Sequence, residues 1–140
     1  MEPVADQPSA EQVASDWIAY ARYSPNDAPE DVFVRGWAMY DLVEDDPALA
    51  WDAIKIVVRR YTDDDMFSEG RTEAQRVVGN LAAGPLEDLL DKRGLQFIEM
   101  VEAEARQDRR MVWTLGCVWK SSMPDDIWAR VQRAAGGVSR

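Results

Sequence analysis

The chain contains no histidine. That removes the usual general base near neutral pH, the serine triads and most cysteine ones, and every histidine-bearing metal site. The single cysteine, Cys117, allows no intrachain disulfide and no thiolate metal site. It sits in an apolar run over residues 112–119, where a buried, inert thiol is expected. No Gly-x-Gly-x-x-Gly, no P-loop and no Gly-x-Ser-x-Gly occurs. No stretch approaches ~18 uninterrupted apolar residues, so no membrane-spanning helix is expected. The opening Met1-Glu2-Pro3-Val4-Ala5-Asp6 has no basic start and no apolar core. No secretory signal is therefore expected, and the cytoplasm is the expected compartment.

What remains is a globular composition: 140 residues, 46% apolar and 30% charged, the size of one domain. Six tryptophans are many for this length, and each can bury about 150–250 Å², so an aromatic-dominated core is expected. The net charge of −10 is unevenly spread. Residues 1–70 hold 16 acids and 5 bases, a balance of −11, whereas residues 71–140 hold 10 and 11, a balance of +1. Such a field repels nucleic-acid phosphates and anionic lipid and speeds encounter with a basic partner. A modest basic patch over 106–140, with 7 bases and 3 acids, does not change that expectation.

Hydrophobic spacing is helical throughout. Ser9 caps a first helix, with Gln12 as its capping-box partner and Val13, Trp17, Tyr20 and Ala21 inside. Pro29 starts a second, in which Phe33, Trp37 and Tyr40 form one stripe and Val34, Ala38 and Leu42 another. That width predicts burial on more than one side. Asp46-Pro47 starts a third, carried by Trp51, Ile54, Val58 and Tyr61. Residues 62–71 read as a polar interruption. Thr72 caps a further helix that Gly84-Pro85 ends or kinks, and Pro85 opens a short one that Gly94 closes as a left-handed cap. Helices over about 95–107 and 109–120 and a last one from Pro124 complete the pattern. Acid–base pairs four apart, Asp31/Arg35, Asp88/Lys92, Glu102/Arg106 and Asp126/Arg130, support it. The expectation is an all-α fold, an antiparallel multi-helix bundle or short HEAT-like stack of about seven helices. Its domain would span 9–135, with a flexible lead-in over 1–8 and a frayed tail over 136–140.

Three constellations could carry chemistry. Asp63, Asp64 and Asp65, with Glu69 and Glu73, offer oxygens for calcium or magnesium. Counted from Asp63, however, the fifth position is Phe67 and the glycine falls eighth rather than sixth, so a solvated acidic turn is the plainer reading. Glu87 and Asp88 sit in the first turn of a helix, where they serve either as a carboxylate site or as dipole-stabilised capping acids that also meet an arginine. Trp119 and Trp128, with Trp113 and Arg130, could stack on a ligand or anchor a partner, or else form core.

Particular residues resemble the bacterial domain-of-unknown-function family numbered 6869, over about 37–133. They are Asp46-Pro47 with Ala50-Trp51, then Ala82-Ala83-Gly84-Pro85-Leu86-Glu87-Asp88-Leu89-Leu90, then Gly94, Phe97-Ile98 and Val101-Glu102. Gly116-Cys117-Val118-Trp119 and Met123-Pro124-Asp125-Asp126-Ile127-Trp128 complete the likeness. The resemblance implies a helical bacterial domain and transfers no catalytic residue. The functional expectation is a non-enzymatic module that binds another, basic, protein through its acidic half, with no cofactor, metal, nucleic acid or membrane. The alternatives are a small-ligand binder or enzyme using Glu87 and Asp88 with an arginine such as Arg130, and a scaffold that self-associates through exposed tryptophan.

Overall fold

The computed structural model describes residues 8–24 and 26–136. Apart from Pro8 and Gly136, the expected lead-in and tail lie outside these residues. Among the described residues every regular element is helical and none is a strand, and together they form an all-α bundle. Seven α-helices have seven or more residues, and an eighth has five.

Helix α1 (Ala10–Ala21) begins where the Ser9 side chain accepts from the Gln12 amide at 3.1 Å. It buries Val13, Ala14, Trp17, Ile18 and Ala21 against α2 (Glu30–Asp45) and α3 (Pro47–Arg59). Asp46 caps α3 by accepting from the Leu49 amide at 3.2 Å, and Pro47 occupies the first turn, where its missing N–H costs nothing. The buried face of α2 is narrow: Gly36, Met39, Leu42 and Val43. Gly36 is there because α1 lies so close that an added Cβ would stand 2.3 Å from the Tyr20 Cβ.

The polar interruption is itself structured. Thr62 and Asp65 form a reciprocal capping box that starts α4 (Asp63–Phe67), and Thr72 and Gln75 form another at the start of α5 (Glu73–Leu81). The Gln75 amide group also donates to the Met66 and Ser68 carbonyls at 3.0 and 2.9 Å, clipping α4 to α5. Gly84-Pro85 neither ends nor opens a helix. Residues Ala82–Leu86 form a π turn that carries α5 directly into α6 (Glu87–Gln107). The wider i→i+5 loop receives the proline, which would break an α-turn.

Gly94 is not a left-handed cap either: α6 runs through it, with a kink at Arg93 (φ −131°, ψ 28°). Glycine serves close packing, since an added Cβ would meet Ile127 of α8 (Asp125–Ala134) at 3.0 Å. Helix α7 (Arg109–Leu115) stops sooner than its spacing predicts, and Gly116 caps it.

The core is aliphatic rather than aromatic. Of the tryptophans, Trp17 and Trp51 are buried; Trp113 and Trp128 are half-buried, and Trp37 and Trp119 are exposed. Met39, Ile54, Met66, Leu81, Leu86 and Leu90 fill the centre.

Candidate functional site

The outer face of α2 follows from the narrowness of its inner one. Glu30, Phe33, Val34, Trp37, Asp41 and Glu44 recur at intervals of three and four, so they share one side of the helix. Among the described residues its apolar part is largely uncovered: Phe33 is 42% exposed, Val34 60% and Trp37 42%, while Glu44 at its end pairs with Lys92. The burial expected along both stripes of this helix is therefore only partial: Phe33 and Trp37 of the first and Val34 of the second face out, while Leu42 of the second is buried. This adjacent apolar exposure, with acids at both ends, differs from singly scattered surface hydrophobics.

Behind the stripe the rings lock together. Trp37 lies 4.4 Å from Tyr40 and 6.5 Å from Tyr20, and Trp17 lies 5.5 Å from Tyr20 and 5.9 Å from Tyr40, centroid to centroid. Four rings thus close a circuit, and Phe33 stacks outside it at 5.1 Å from Trp37. Most contacts are edge to face, the arrangement that ring quadrupoles favour. Trp17 is fixed from below, since its indole N–H donates to the Val77 carbonyl at 3.3 Å.

These four rings and Tyr23 line a cavity of about 370 Å³, whose other walls are Ser24, Asn26, Asn80, Ala21 and Ala83. The π turn forms the base of this corner. An added Cβ at Gly84 would stand 2.0 Å from the Tyr40 hydroxyl oxygen, so only glycine lets that ring settle. Burial, and then the charges of Asp88 and Glu87, push the Tyr40 phenol up to about 12. It stays protonated, in a negative field.

The residues singled out from sequence fall in three separate places. The Glu87 carboxylate accepts from the Trp119 amide at 3.1 Å, and the Ser121 hydroxyl also bonds to it. Burial pushes this carboxyl above its ordinary range, and these two donors oppose the shift. Glu87 therefore straps the 116–122 loop to α6 rather than meeting an arginine. Asp88 is raised as well, by burial, with Lys92 opposing. Arg130 lies elsewhere, in a two-pronged pair with Glu102 (Nε to Oε2 2.9 Å) about four helical turns along α6 from Glu87. Trp128 packs against the core, and the Trp119 ring stands 67% exposed. At the third place, Asp63 faces Arg109 and Arg110 at 3.8 and 3.9 Å, Asp65 is spent on the capping box, and the Asp64 carbonyl accepts from the Ser68 amide at 3.1 Å.

Residues 22–138 match the model of a family described as a family of unknown function (DUF6869). The chain belongs to that family. No curated protein and no solved structure matches it. The Ala-Ala-Gly-Pro-Leu-Glu-Asp block that carried the DUF6869 resemblance is the π turn and the start of α6, so it lies under Tyr40. Helix α1, which brings Trp17 and Tyr20 to the cavity, precedes the DUF6869 match.

Sequence reasoning placed Phe33, Trp37 and Tyr40 in the core and so missed this site. One signal was available. Helix α2 carries five acids, Glu30, Asp31, Asp41, Glu44 and Asp45, against the single base Arg35, and Glu30, Asp41 and Glu44 share the aromatic side. A stripe bracketed by carboxylates four residues away faces water, because burying those carboxylates would need partners.

Proposed function

We propose that the protein is a non-enzymatic interaction module that docks a basic protein on the outer face of α2. The observation carrying this reading is the exposed Phe33, Val34 and Trp37 stripe with Glu30 and Asp41 at its two ends. Tryptophan and tyrosine are the residues that dominate binding energy when a partner desolvates them. The surrounding carboxylates would raise the encounter rate and select partners of opposite sign. This reading moves the contact surface from the acidic turn at 63–65 to α2, since Asp63 and Asp65 have structural duties. The alternative site at Glu87 has no comparable support, because its carboxylate already holds the Trp119 amide.

The test is affinity capture from the native host, with wild type, Trp37→Ala and Glu30→Lys/Asp41→Lys side by side. A stoichiometric basic partner is expected on wild type, lost at moderate salt and lost from both variants. Identical retention by all three proteins would sink the proposal.

A further inference from the structure

We infer that the cavity behind Trp37 is a receptor for an organic cation, and that its occupant is the guanidinium of an arginine side chain presented by the docked partner. The partner as source rests on the reading of α2 above; the cation preference of the cavity stands by itself.

Three features of the corner converge. Five aromatic rings line one cavity of about 370 Å³, small among ligand sites and suited to a head group rather than a whole cofactor. Ring faces are negative, so a cation over them is attracted and an anion repelled. The polar part of the lining, Ser24, Asn26 and Asn80, contains no Lys or Arg to compete with an incoming cation, and its side-chain oxygens can accept N–H bonds.

Acids outnumber bases around it. Helices α1 and α2 together hold seven acids, Glu11, Asp16 and the five of α2, against Arg35, with Arg22 just past α1 and Arg76, which donates to the Arg22 carbonyl at 3.2 Å, as the bases beside the corner. Asp88 and Glu87 lie close enough to Tyr40 to act on its hydroxyl. Among cations, guanidinium suits such a place best. It is planar, stacks on aromatic faces and is more weakly hydrated than an ammonium, so desolvating it costs less. Trp37 belongs to both surfaces, to the exposed stripe and to the cavity wall. A partner lying along α2 would therefore carry its arginine past Trp37 into the cavity while apolar neighbours cover Phe33 and Val34.

The test uses N-acetyl-arginine amide, its neutral near-isostere N-acetyl-citrulline amide, and tetramethylammonium, each titrated into the full chain at constant ionic strength. Indole resonances of Trp17 and Trp37 report the cavity. Saturable shifts with the arginine amide are expected, with binding at least about tenfold weaker for citrulline and for the Tyr23→Ala and Trp37→Ala variants. Circular dichroism would verify that both variants fold. Equal binding of arginine and citrulline amides, or no saturable shift with either, would overturn the inference. Tighter binding of tetramethylammonium than of the arginine amide would overturn guanidinium as the occupant. If arginine amide binds as expected while affinity capture finds no basic partner, the docking reading fails, the partner as source fails with it, and the cavity is left as a site for a free guanidinium compound.

Discussion

The two ends of the molecule use the same residue types to opposite effect. At the α6–α8 end Arg130 pairs with Glu102, Arg110 with Asp108 and Lys120 with Asp125, while the charges left without an ion pair among the described residues, such as Arg93, Glu99, Arg106, Asp126 and Arg133, are of both signs. Arg110 also donates to the Tyr61 carbonyl at 2.7 Å, so that its charge is wholly absorbed in joining α3 to α7. On the α1–α2 face Glu30, Asp41 and Asp45 have no ion pair among the described residues, and aromatic rings stand uncovered beside Glu30 and Asp41. The difference is one of sign and setting: on α2 the unmatched charges are all acidic and flank exposed rings. Lys92 crosses between the two regions, leaving the expected Asp88 to pair with Glu44 on α2. Arg130 likewise leaves Asp126, and of the four pairs expected within helices the ion pair formed is Asp31–Arg35 at 3.2 Å.

The contrast can be broken most severely at the glycines. Gly36→Val forces a Cβ into Tyr20 backed by helix, so a loss of about 3 kcal/mol or more is expected in urea unfolding, with the ring cluster disordered. A loss below about 1 kcal/mol would mean that α1 and α2 can separate freely. Gly84→Ala meets only the tip of Tyr40, which can swing away. About 1–2 kcal/mol should be lost, and near-ultraviolet circular dichroism should change with it. Gly94→Ala, facing the buried Ile127 side chain at 3.0 Å, should cost about 1 kcal/mol and leave the aromatic signal intact.

Smaller effects sharpen the same comparison. Arg130→Gln removes a partly exposed pair, so a loss in urea unfolding smaller than that of any glycine variant is expected, with no change in binding at α2. The smallest effect lies in pH dependence. Glu87 is raised in the folded state, so the folded protein holds this proton more tightly than the unfolded chain. Its contribution is present below the ordinary carboxylate value of 4.5 and is lost as pH rises through the folded value. Glu102 is lowered, chiefly by the Arg130 hydrogen bond, so its contribution is present above the ordinary value and is lost as pH falls. Glu87→Gln should therefore raise the unfolding free energy in urea more near neutral pH than in acid, by a few tenths of a kcal/mol after allowance for solvent screening. An equal change at both pH values would show that the carboxyl titrates alike in the folded and unfolded states.

Local signals were legible wherever one residue decides. Ser9, Asp46-Pro47 and Thr72 start helices because each supplies an oxygen to an amide three residues on or removes one. The Thr62–Asp65 box has the same logic, but three adjacent aspartates read as solvated charge and hid it. Position 94 misled for a different reason. Glycine marks either a left-handed turn or a close neighbour, and spacing alone does not show that Ile127 is that neighbour. The aromatic site was illegible because periodicity reports that a helix has an apolar stripe without reporting whether anything lies across from it. Tyr20, Tyr23, Asn80 and Ala83 join Trp37 only through the packing of α1, α2 and α5, which no local window contains.

The π turn has a geometric consequence for the whole second half of the chain. A loop closed over five residues instead of four adds one residue to the rod, and in an α-helix one residue is about 100° of rotation. Helix α6 is therefore out of phase with α5, although the two are continuous. Val77, Val78 and Leu81 keep their side of the rod toward α1 and α3, and Leu86, Leu89 and Leu90 are turned to a different bearing. One rod thereby closes a core that wraps around it, and removing a residue from 82–86 would swing every later side chain to the wrong compass point.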